Sequence, residues 1–210
     1  MASAFRGWPE ECQRFFIGLE LDNSKRYFEA NRRVYEDAVK GPMVALVASL
    51  EDEYGPGKVF RPNRDVRFSK DKSPYKTNIA ATAGMGGNGG YLSLDARNLT
   101  VAAGRYELTP EQLAKFRKRV AADATGAPLA AIVAKLEKTG YQMGGEQLKR
   151  VPAGLPPDHP RARLLKHKLL YIYKNFGLQP WLGSPAARKH ILKVWSDAAP
   201  LNDWLKRNLG

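Results

Sequence analysis

The sequence predicts an α+β fold, an antiparallel sheet of about five strands covered by helices at both chain ends, and three observations carry that prediction. Amphipathic stretches of helical period fill the chain up to Tyr54 and return after Thr109. Between them, from Val59 to Ala103, apolar and β-branched residues come in short runs cut by glycine and asparagine, the pattern of a meander. Strands and helices are segregated rather than alternating one by one, as a parallel sheet would require. A chain of 210 residues can bury a core of its own, so a single α+β domain over 1–210 is expected.

The elements follow in order. Pro9 with Glu10 and Glu11 reads as a first helical turn whose buried face is Phe15, Phe16 and Leu19, because proline lacks an amide to leave unsatisfied and carboxylates suit a helix start. Asp22-Asn23-Ser24 ends it and caps a second helix carrying Tyr27, Phe28, Val34, Tyr35 and Ala38. Gly41-Pro42 should break or kink that helix before a further stretch with Met43, Leu46, Val47, Leu50 and Tyr54, and Gly55-Pro56-Gly57 stops it. Strands are expected at Val59-Phe60, Asp65 to Phe68, Thr77 to Ala83, Tyr91 to Ala96 and Leu99 to Ala103, with Arg97-Asn98 as a hairpin turn. Thr109-Pro110-Glu111-Gln112 has a capping-box layout and opens a helix reaching Ala124. Leu129, Ile132, Val133 and Leu136 mark another, closed by Gly140. Loop with at most a short strand is expected from Tyr141 to Pro157, then a short helix from Pro160 to Lys166 and a strand over Leu169 to Tyr173. Ser184-Pro185 begins a helix with Ile191, Leu192 and Trp195, and Pro200 resets the chain into a last turn or two.

Charge narrows the partners. The formal net charge is +13, which favours anions such as nucleic acid, nucleotides, phosphorylated metabolites or acidic lipid surfaces. The single cysteine, Cys12, excludes an internal disulfide and suits a reducing compartment as a small core residue. The first residues lack the apolar run of a secretory signal, and the uncharged stretch Thr77 to Leu94 is too rich in Gly, Thr, Asn and Ser for a membrane span. A cytoplasmic protein without membrane contact is expected.

Several motifs fail on inspection. Gly84-Met85-Gly86-Gly87-Asn88-Gly89 fits G-x-G-x-x-G formally, but a strand rather than a helix follows, so a mobile hairpin tip is expected there instead of a dinucleotide cradle. No G-x-x-x-x-G-K-[ST] occurs. Cys12, His159, His167 and His190 have no zinc spacing, and no cofactor or metal is expected.

The motif that stands out is Arg61-Pro-Asn-Arg64-Asp65-Val-Arg67-Phe68-Ser-Lys70-Asp71-Lys72-Ser-Pro-Tyr75-Lys76, which with Lys58 gathers seven basic side chains and two aspartates. Arginine's planar fork matches phosphate or carboxylate, and lysines add mobile point charges. An anion site built from Arg61, Arg64, Arg67, Lys70, Asp71, Lys72 and Tyr75 is one reading, with Asp65 and Asp71 orienting the cations. Its partner would be an anionic, phosphate-bearing small molecule. A second reading is a nucleic-acid-binding module with non-specific phosphate contacts, in which Lys115 to Arg119 and Lys149-Arg150 join the signature. A third is a structural network of ion pairs without a ligand. For proton transfer, should the chain be an enzyme, the candidates are Asp65 and the pair Asp158-His159, since imidazole titrates near neutrality. The alternative for that pair is a helix start, Asp158 capping the helix begun at Pro160.

The spacing R-x-x-R-D-x-R-F-x-x-x-D-K-x-x-Y from Arg61 to Tyr75 resembles the signature of a bacterial family known as domain of unknown function 2461. The resemblance extends to the asparagine-containing turn between Leu19 and Phe28, to Gly104, Tyr106 and Pro110, and to Lys149-Arg150, Gly154 and Asp158-His159-Pro160. It implies where the site lies rather than which reaction, if any, occurs there.

Overall fold

The computed structural model describes residues 4–84 and 90–210. The glycine-rich tip expected at Gly84 to Gly90 falls largely on residues 85–89, outside the described residues. Helices α1 (Glu10–Leu21) and α2 (Lys25–Ala30) form where the caps direct. Glu10 and Glu11 occupy the first turn of α1, which buries Cys12, Phe15, Phe16 and Leu19, and the Ser24 hydroxyl accepts the Tyr27 amide at 3.1 Å to start α2. After α3 (Arg32–Val34) the backbone widens into a π-helical stretch, Tyr35–Lys40, and continues as α4 (Gly41–Ala48).

The break expected at Gly41-Pro42 is therefore absent. The Gly41 amide reaches back to the Glu36 carbonyl, a five-residue step that leaves Pro42 in the first turn of α4, where its missing amide costs nothing. Helix α5 (Glu51–Tyr54) ends on Gly55 at φ 83°, a left-handed position that suits glycine.

Strands β1 (Lys58–Val59), β2 (Asn78–Ala83), β3 (Gly90–Asp95), β4 (Leu99–Arg105), β5 (Gln142–Gly144) and β6 (Leu170–Asn175) form one antiparallel sheet in the order β1-β2-β3-β4-β6-β5. The α+β class holds with six strands instead of about five. The strand expected at Asp65 to Phe68 is loop, because the chain between β1 and β2 spends its hydrogen bonds on itself. Gln142–Gly144 is a short strand within the segment where the sequence allows at most one.

The chain divides into two compact units, Met1–Val101 with Asn175–Lys193, and Ala102–Lys174 with Val194–Gly210. In the first, β2 pairs with β3 along its whole length, from Asn78 opposite Asp95 to Ala83 opposite Gly90. Ile79, Ala81, Ala83, Leu92 and Leu94 are buried on one face, and α4 packs against β1 and β2. The period of two leaves Asn78, Thr82, Tyr91 and Ser93 on the other, more exposed face. The Arg97-Asn98 turn forms as expected, with the Asp95 carboxylate accepting both amides at 2.7 and 2.8 Å.

In the second unit, α6 (Pro110–Ala121) opens with the full capping box between Thr109 and Gln112 and buries Phe116 and Val120. Helix α7 (Asp123–Lys138) follows after a break at Ala122. Helix α8 (Ala162–Leu165) precedes β6, which pairs antiparallel with β5. Helix α9 (Ala186–Leu209) runs on through Pro200, where the sequence predicts a reset. An interior proline costs a helix about 3 kcal/mol, and the stripe Val194, Ala198, Leu201, Trp204 and Leu205, all buried, offsets that cost. Among the described residues no helix is long and apolar enough to cross a membrane.

Candidate functional site

The basic signature is the loop that leaves β1 and returns as β2. Its base is closed by backbone pairing. The Phe60 amide donates to Ala80 at 2.9 Å, Asn63 and Tyr75 form an isolated antiparallel bridge, the Arg64 amide donates to Pro74 at 2.9 Å, and the Lys76 amide donates to Pro62 at 2.8 Å. The side chain of Asn23, in the turn between α1 and α2, then clamps Tyr75 from the other side, accepting its amide at 3.0 Å and donating to its carbonyl at 3.1 Å. Tyr75 is 6% exposed, and its ring lies parallel to that of Phe28 with centroids 4.1 Å apart. Tyr75 is thus the anchor that ties the loop to the aromatic core of α1 and α2, where Phe15, Phe28 and Tyr35 meet edge to face or tilted.

Within the loop, charges are arranged by short-range bonds. The Asp65 carboxylate takes Arg67 through Nε at 2.9 Å and Nη2 at 2.7 Å, and accepts the Arg67 amide as well. The Asp71 carboxylate accepts from the Arg64 guanidinium and from the Ser73 amide. Lys72 Nζ donates to the Val66 carbonyl at 2.9 Å and Lys76 Nζ to that of Arg61 at 3.2 Å. Hydrogen bonds from Arg67 hold Asp65 below the usual carboxylate range, and those from Ser73, with Arg64 adding to them, do the same for Asp71. Carboxylates kept ionised in this way are weak proton acceptors. Their geometry is that of groups that orient cations, one of the two roles the sequence suggests for Asp65.

The cations themselves face water. The Arg67 side chain is 76% exposed and leaves Nη1 unengaged by Asp65. Arg61 and Lys70 are exposed and make no side-chain hydrogen bond or ion pair among the described residues. Phe68 is 95% exposed, with the Arg67 guanidinium 5.9 Å from its ring centroid. A fully exposed phenylalanine amid cations is not needed by the core.

Asp158 and His159 belong to the second unit. Asp158 is exposed, and no side chain caps α8, so the cap expected from Asp158 is not formed. His159 holds the turn that leads into α8. Its Nδ1 accepts the Arg161 amide at 3.0 Å, its carbonyl accepts the Ala162 amide at 2.8 Å, and Nε2 lies 3.3 Å from the Ala121 carbonyl. Since Nδ1 accepts, Nε2 carries the proton and donates. Both ring nitrogens are engaged by the backbone. Beside it Arg161, 9% exposed, donates from Nε to Val120 at 2.6 Å, and from Nη2 to Ala121 and Asp123, each at 2.7 Å. The Val120 and Ala121 acceptors are orphan carbonyls at the end of α6, and Asp123 accepts through its carboxylate.

Sequence reasoning assigns no role to Arg161, although it stands in a basic run with Arg163, Lys166 and Lys168, and it reads Asn23 as part of the turn that ends α1 and caps α2 without naming Tyr75 as its partner. It also passed over Phe60 and Tyr91, whose rings lie side by side, 6.5 Å between centroids, because their meeting depends on the register of β1 and β3 with β2.

No curated protein matches this chain. A match to the family described as "Conserved hypothetical protein (DUF2461)" covers residues 11–204, from the second residue of α1 to the last turns of α9. The loop and its Asn23 anchor, like the α6 cap, lie inside that span, and the chain belongs to the DUF2461 family.

Proposed function

We propose that the loop from Arg61 to Lys76 is a binding surface for phosphate-bearing anions. The observation that carries this reading is that the loop's cations are positioned from within yet remain available. Asp65 and Asp71 fix Arg67 and Arg64, carbonyls fix Lys72 and Lys76, and Arg61 and Lys70 stand exposed without partners among the described residues. Seven basic side chains from Lys58 to Lys76 against two carboxylates leave a strong positive excess, and guanidinium forks with spare donors suit phosphate oxygens. Preorganised cations lose less entropy on binding than mobile ones. A purely structural network is the weaker reading, since exposed ion pairs contribute little to stability.

The test is fluorescence anisotropy with a labelled inorganic polyphosphate, across a salt series. Binding that weakens steeply with salt is expected, because each phosphate neutralised releases counterions. The double reversal Arg61→Glu, Lys70→Glu should lose at least about tenfold in affinity while the denaturation midpoint stays put. A reversal variant that binds as the parent does sinks the reading.

A further inference from the structure

We infer that the occupant of this surface is a single-stranded nucleic acid, whose bases stack on Phe60, Tyr91 and Phe68 while the loop cations take its phosphates. The inference rests on the anion-binding reading of the loop and adds the base-reading half.

The sheet provides that half. Register places Lys58 opposite Thr82 and Thr82 opposite Tyr91, so these three share the outward face. Phe60, whose amide bonds Ala80, continues the same face, opposite the row of Ala80 and Ser93. The rings of Phe60 and Tyr91 therefore meet across the strands on the side away from the core. Tyr91 is 37% exposed, and Lys76 Nζ lies 5.8 Å from the Phe60 ring centroid. Hydrogen-bonding side chains surround the two rings: Thr82, Ser93 and Asn78, the last donating to Ser93 at 2.6 Å. The basic loop begins at Phe60 itself, ends at Lys76, and carries a third aromatic, Phe68, which is 95% exposed.

Three features select this occupant. Aromatic rings on an open antiparallel sheet beside cations are what unpaired bases stack on, and a duplex hides those faces. Seven cations against two carboxylates between Lys58 and Lys76 suit several successive phosphates rather than a single phosphate group. An anionic membrane would meet the same charge, but the face that Phe60 and Tyr91 share carries Asn78, Thr82 and Ser93 with only the small Ala80 among them from β2 and β3, which suits bases better than acyl chains.

The experiment compares a labelled fifteen-residue oligothymidine with an abasic strand of the same phosphate count, with the duplex form, and with phosphatidylserine vesicles, all on the full chain. Oligothymidine should bind about tenfold or more tighter than the abasic strand, as stacking of even one base provides. Phe68→Ala, at a site too exposed to affect folding, should lower oligothymidine affinity about fivefold or more and leave the abasic strand unchanged. Tyr91→Ala should act in the same direction. Equal binding of the two strands, no effect of either aromatic substitution, or preference for duplex or vesicles overturns the inference while the anion-binding reading stands. If neither strand nor polyphosphate binds, both fall.

Discussion

Two arginine-bearing segments of this protein use the same chemistry to opposite ends. In the loop between β1 and β2, Arg67 spends its fork on Asp65 in open water, with the guanidinium side chain 76% exposed. In the turn before α8, Arg161 is buried and spends its fork on the carbonyls of Val120 and Ala121. One arrangement leaves its charge exposed to solvent. The other closes the end of α6 and also pairs with the exposed Asp123 carboxylate, and its charge strengthens the donors.

That contrast is broken most directly at Arg161. Arg161→Ala strips the buried Val120 carbonyl and the part-buried Ala121 carbonyl of charged donors, each such bond contributing about 1.5–3 kcal/mol, so a loss near 3 kcal/mol is expected in urea denaturation. A loss below about 1 kcal/mol would show that water replaces the guanidinium, and that the two segments differ less than their burial suggests.

Asn23→Ala comes next in size. It removes both side-chain bonds to the Tyr75 backbone and should cost about 1–2 kcal/mol. The loop would also lose its fixed base. Polyphosphate affinity should fall although no cation has been touched, and unchanged affinity would mean that loop position does not matter for binding.

Much of this was legible in the sequence, for identifiable reasons. The caps at Ser24 and Thr109, the Arg97-Asn98 turn and the β2–β3 hairpin strands are local, and local rules find them. The π-helical passage before Pro42 and the uninterrupted α9 across Pro200 were not, because packing on the apolar faces decided both. The loop's basic residues were found by composition alone. Its two anchors were not: Asn23 meets Tyr75 across 52 positions of chain, and Phe60 meets Tyr91 through strand register, so neither leaves a trace in a single window.

Acid separates the units further. His167 is 0% exposed, neither ring nitrogen has a hydrogen-bond partner among the described residues, and burial lowers its pKa from the ordinary 6.5. The unfolded chain then takes up a proton that the folded one resists. Its contribution to stability is complete above about pH 6.5 and is lost as pH falls below that value, by at most about 1.4 kcal/mol per pH unit. Asp65 and Asp71, also lowered, contribute to pH dependence only below the carboxylate range, near pH 4. A urea midpoint that declines between pH 6.5 and 5, and a flat profile for His167→Leu, would place the acid sensitivity in the second unit. A decline that survives His167→Leu would assign it elsewhere.

The smallest effect on stability is expected where the charges are most crowded. Arg64→Ala and Arg67→Ala each break an exposed pair whose carboxylate can be rehydrated at once, so neither should move the denaturation midpoint measurably. Both should weaken polyphosphate binding and flatten its salt dependence, since each removes a phosphate contact. The two readouts separate the alternatives at this site. If the midpoint drops as far as it does for Arg161→Ala, the loop is a structural network and its charges are committed to the fold. If the midpoint holds and the salt slope falls, the same arginines are contacts for a ligand, and the carboxylates of Asp65 and Asp71 are the struts that aim them.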